Sequence, residues 1–121
     1  GPSGGIIAAV YPKMEFTVGD DVVRIVRVCT YRSIPWGHLM AFVNFDSYDR
    51  RFMGVVGRKE MVLESQSGEK GEALIAGPFD WWNAGNGCVA IEPEDTYVTL
   101  RYDIYGESGS IQIPLPEGMA P

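Results

Sequence analysis

The sequence predicts an all-β fold, an antiparallel β-sandwich or jelly roll of eight to nine short strands. Three observations carry that expectation. Residues 96–105 alternate strictly, with Val98, Leu100, Tyr102 and Ile104 on one face and Tyr97, Thr99, Arg101, Asp103 and Tyr105 on the other. Clusters of Gly, Pro, Asp, Asn and Ser recur at short intervals along the whole chain. No segment combines helical periodicity with capping residues.

Taken in order, residues 6–10 form a short apolar run that Tyr11-Pro12 ends, because proline cannot extend a ladder. Gly19-Asp20-Asp21 is a turn, and residues 22–32 are a β-branched strand. That strand carries Arg24 on one face and Arg27 on the other, so a bulge or a change of sheet is expected near 24–27. Residues 33–37 read as a loop bracketed by Pro35 and Gly37. Residues 38–45 follow as a strand with Leu39, Ala41, Val43 and Phe45 on its inner face. Residues 46–50 are polar and turn-forming; 52–56 and 61–63 are short strands. Residues 65–70 look like an exposed turn, 72–76 a brief strand, 77–86 a long aromatic loop and 87–91 a strand. The acidic turn Glu92-Pro93-Glu94-Asp95 leads into 96–105, and after Gly106-Glu107-Ser108-Gly109 the alternating Ile111, Ile113 and Leu115 form the returning arm.

Residues 1–5, Gly-Pro-Ser-Gly-Gly, read as a tag scar or linker, 6–116 as one β-sandwich domain, and 117–121 as a domain edge. The length suffices for one core. No apolar run reaches the roughly 20 residues of a membrane span, so no membrane insertion is expected. Sixteen acidic side chains against ten basic ones leave a net charge of −6, which disfavours a nucleic-acid partner. The basic groupings Arg24, Arg27, Arg32 and Arg50, Arg51, Arg58, Lys59 read as solvated strand edges. Cys29 and Cys88 are too few for a disulfide framework or a zinc site and read as buried free thiols.

Three groups of residues could carry function. Asp80, Trp81, Trp82 and Asn83 form an aromatic loop suited to stacking on a sugar ring or anchoring a partner, although the same rings could plug the end of a sandwich. Trp36 and His38 flank a glycine in the 33–38 loop, and Trp36 could share a cleft with Trp81 or Trp82 if both loops lie at one end. Asp46 with Asp49, and Asp103 with Glu107, set carboxylates near turns where calcium, an oxygen-seeking cation, could bind, and Asp20-Asp21 and Glu92-Pro93-Glu94-Asp95 do so again; solvated acidic turns are the plainer reading.

Catalysis is not expected. There is no Gly-x-Ser-x-Gly elbow, no phosphate-binding glycine loop, and only one histidine. These features together suggest an assembly or attachment module without a required cofactor. The specific expectation is a surface-protruding domain of a viral capsid protein, exposed at a virion or extracellular surface, that self-associates as a homo-oligomer and contacts a glycan or protein receptor. The alternative is a lectin-like carbohydrate-binding module that uses the aromatic loop, with calcium as an assisting ion.

Overall fold

The structure is a computed structural model that describes residues 5–18, 21–47, 61–78, 83–104 and 106–118. Within them run nine strands: β1 Ile6–Val10, β2 Met14–Val18, β3 Asp21–Arg32, β4 Leu39–Ser47, β5 Met61–Ser65, β6 Lys70–Pro78, β7 Asn83–Ala90, β8 Tyr97–Ile104 and β9 Glu107–Pro114. All pairings are antiparallel, in the order β1-β3-β4-β7-β6-β5-β8-β9, with β2 also on β3. No helix of the described residues is long and apolar enough to cross a membrane. The expected strand at 52–56 lies outside the described residues.

β6 is the corner of the molecule. Its first residues pair with β5, Glu72 lying opposite Val62, and from Ala73 onward it pairs with β7. One core then forms between the two halves: Val23, Ile25 and Val28 of β3, Leu39, Val43 and Phe45 of β4, Met61 and Leu63 of β5, Val98 and Leu100 of β8, and Ile113 of β9. This is the arrangement of a β-sandwich. Phe16 of β2 stacks on Tyr102 of β8 with ring centroids 5.0 Å apart, so the two halves also meet at their rim.

The expected irregularity in β3 is a register shift between Ile25 and Arg27. It turns Val26 outward, 45% exposed, and keeps both Ile25 and Val28 in the core. The arginines are thereby left on the outer surface with partners on β4: Arg24 Nε donates to Asp46 at 2.7 Å and Arg27 Nε to the Asn44 side-chain oxygen at 2.9 Å. That pairing corrects the expected turn at 46–50 for its first two residues, because Asp46 is paired across the ladder and β4 continues through the buried Ser47, while 48–50 lie outside the described residues.

Met14–Val18, a segment with no sequence-based expectation, is a strand. One further reading changes: of the loop expected at 77–86, residues 77–78 and 83–86 are strand, with Pro78 paired to Asn83 and Gly77 to Ala84, and 79–82 lie outside the described residues. Gly85 and Gly87 of β7 lie buried opposite Phe45 and Val43 of β4, so β4 supplies bulk where β7 has none. Packing between strands overrides the low strand preference of Gly and Asn.

On the outer face of β3 and β4, Cys29, Tyr31 and Phe42 form a second apolar cluster. Cys29 is buried as expected, but Cys88 is exposed. Phe42 of β4 lies between their strands in register, which sets the two Cα atoms about 9.5 Å apart, too far for a disulfide. Burial, followed by the neighbouring Cys88 and Cys29, pushes the Tyr31 hydroxyl up to about 12. The fold thus favours neutral Tyr31. Its stabilising effect is complete below pH 10 and is lost as pH rises toward 12. In an alkaline absorbance titration one of the six tyrosines should ionise last, and that late step should vanish in Tyr31→Phe.

Candidate functional site

The β3–β4 connection is a short closed turn. Ser33 N–H donates to the His38 carbonyl at 2.8 Å, Gly37 N–H to the Ser33 carbonyl at 2.7 Å, and His38 N–H to Ser33 Oγ at 3.1 Å. Arg32 adds a fourth bond, Nη1 to the Gly37 carbonyl at 2.9 Å. Gly37 takes φ 71°, the left-handed region that glycine enters most readily, and Ile34–Pro35 is cis. The turn leaves its apolar residues in water: Trp36 is 79% exposed and Ile34 68%.

Beside this tip lies an open groove of about 630 Å³. One wall is the hairpin base, with Arg32, His38 and Met40; the other is the β5–β6 turn and the β7–β8 connection, with Glu69, Glu92 and Pro93. Ile91 N–H donates to the Leu39 carbonyl at 3.0 Å, which fixes the second wall to the first. The groove therefore offers donors from Arg32 and His38 and acceptors from Glu69 and Glu92. Among the described residues no hydroxyl or thiol side chain lines it.

A polar network holds the carboxylate wall. Asp95, only 5% exposed, accepts from Ser67 Oγ and from Glu92 N–H, both at 2.9 Å. Ser65 Oγ lies 3.0 Å from Ser67 Oγ and accepts from Glu69 N–H at 2.9 Å. Gln66 Oε1 accepts from Thr96 N–H at 2.8 Å and from its hydroxyl at 3.2 Å. The turn at 65–70 is thus tied to 92–96 by its own side chains. Asp95→Ala should cost about 1–3 kcal/mol, because the Ser67 hydroxyl and Glu92 N–H lose a buried acceptor. Asp95→Asn, which keeps one such oxygen, should cost less, and chemical denaturation of both variants checks the order.

The expected site residues fall in separate places. Trp36 stands at the hairpin tip. Asn83 begins β7 opposite Ser47, at the far end of β4 from Leu39 and so about 26 Å away along the strand. Asp80, Trp81 and Trp82 lie outside the described residues. Asp46 is committed to Arg24, and Asp49 lies outside the described residues. Asp103 stands opposite Ser108 across the β8–β9 hairpin, whereas Glu107 stands opposite Ile104, so the two carboxylates belong to opposite faces. Among the described residues no three acids, cysteines or histidines group closely enough to hold a metal ion.

Glu69 and the wall-forming role of Glu92 were not visible as site features in the sequence. The one available signal was the run of turn residues at 65–70 and 92–95; what makes them a wall is a contact between Ser67 and Asp95, 28 positions apart. Comparison with protein-family models, with curated proteins and with solved structures finds no match to this chain.

Proposed function

We propose that this chain is a non-enzymatic attachment module that binds a glycan through the tip of the β3–β4 hairpin and the groove beside it. The observation that carries the reading is Trp36, 79% exposed on a turn closed by its own hydrogen bonds. A rigidly presented indole has a large apolar face to place against a sugar ring and loses little conformational freedom on doing so. Arg32, His38, Glu69 and Glu92 then meet the ring hydroxyls as donors and acceptors. The reading requires no cofactor.

The setting we propose for this module is a surface-protruding domain of a viral capsid protein, exposed to the receptor it contacts. Its support is analogy of fold, since sandwich and jelly-roll domains recur in capsids and lectins. The order β4-β7-β6-β5 is a Greek key and β8-β5-β6-β7 is a second overlapping one, which supports a jelly-roll assignment.

A glycan-array screen of the protein beside Trp36→Ala, with thermal melts on the same samples, tests the proposal. Trp36→Ala should change stability by no more than about 0.5 kcal/mol, as exposed substitutions do. It should weaken glycan binding at least tenfold, corresponding to about 1.4 kcal/mol. Binding kept in full by Trp36→Ala would remove the hairpin from the site. No glycan bound by the intact protein would overturn the ligand class.

A further inference from the structure

β1 is Ile6-Ile7-Ala8-Ala9-Val10, a strand with no polar side chain. It lies at one end of the sheet order, and among the described residues its only strand partner is β3. Alternate backbone N–H and C=O groups along its other edge therefore face away from the ladder. Ile6 is 47% exposed and Ile7 39%. Edge strands are ordinarily protected from pairing by charge or proline. β9, at the opposite end of the order, has Glu107 and Pro114; β2 has Glu15. β1 has neither.

We propose that β1 pairs antiparallel with β1 of a second copy of this chain, joining the two sheets across a two-fold axis. Two features select a second copy as the occupant. The chain carries a net charge of −6, so two copies repel except where charge is absent, and residues 5–12 carry no charged side chain. A pairing centred on Ala8 also sets Ile7 opposite the partner's Ala9, large against small, so that one patch serves both subunits; the register shift between Ile6 and Ala8 on the β3 side places Ile7 at the irregular position of β1. Five residues span only about 16 Å, so the interface belongs to the small, readily reversible class. The surface lies on a different edge from the glycan groove and does not depend on that reading.

Size-exclusion light scattering over a concentration series tests the pairing with the intact protein, Ile7→Lys, Ala9→Lys and Trp36→Ala. The intact protein and Trp36→Ala should rise from one chain mass toward two as concentration increases. Ile7→Lys and Ala9→Lys, both at exposed positions, should keep the melting temperature of the dilute protein and remain at one chain mass. Amide exchange within 6–10 should slow with concentration in the intact protein alone. A protein that stays at one chain mass throughout would overturn the proposal. So would lysine variants that associate as the intact protein does, or loss of association in Trp36→Ala only.

Discussion

Phe45→Ala will lower the unfolding free energy by about 3–5 kcal/mol, a large share of the roughly 5–15 kcal/mol that holds such a domain together. Phe45 is 2% exposed and heads the fully buried side chains by volume. It lies opposite Ile25 on β3 and, on the other side, opposite Gly85 on β7, which has no side chain to move into the vacated space. The cavity should therefore stay open, placing the loss toward the upper end of the range. Phe45→Leu, which retains most of the volume, should cost clearly less. Urea unfolding of the two variants, read by midpoint at unchanged slope, checks both values.

Gly71→Ala will destabilise by about 3 kcal/mol although it adds one methyl group. Gly71 sits on β6 just before that strand leaves β5 for β7, and a Cβ there would overlap the carbonyl oxygen of Cys88 and stand 3.3 Å from the Cα of Val89. Those are backbone atoms and cannot rotate aside. Relief requires separating β6 from β7 at the corner where the sheet changes sides, so the local pairing is lost along with the contact. Hydrogen exchange should show the damage first in 70–75 and 86–89. Gly68, which has open space around it, tests the other glycine mechanism, since its φ of 104° makes any loss one of backbone conformation.

Local patterning explains why much of the fold could be read from the chain. The alternation at 96–105 and its returning arm place Val98, Leu100 and Ile113 in the core. Two arginines on opposite faces of β3 required the irregularity found between Ile25 and Arg27. The misreadings arise where a segment's surroundings outweigh its own composition. Residues 83–87, Asn-Ala-Gly-Asn-Gly, look like a loop, yet they are strand because β4 and β6 hold them on either side. Asp46 looks like a turn residue, yet Arg24 keeps it in the ladder.

The candidate site divides in the same way. Trp36 could be picked out in the 33–38 loop as a residue able to line a cleft with Trp81 or Trp82, and the structure instead presents it, exposed, on a turn closed by its own hydrogen bonds. Glu69 did not stand out, and Glu92 did so only within an acidic turn weighed for calcium, because an acid in a turn is ordinarily a solvated one. They face the groove only because Asp95 is buried under Ser67 and draws two distant turns together. A pattern along the chain reports on neighbours in sequence; the wall is made by neighbours in space.

The proposed site of ligand recognition is the β3–β4 hairpin. It is tested most directly by a heteronuclear NMR titration of the labelled protein with a glycan identified on the array. If the hairpin is the site, the Trp36 indole N–H and the amides of 32–34 and 36–39 shift together with those of Glu69 and of 91–92. Shifts confined to the region around Asn83, at the other end of β4, with Trp36 unmoved, would contradict it.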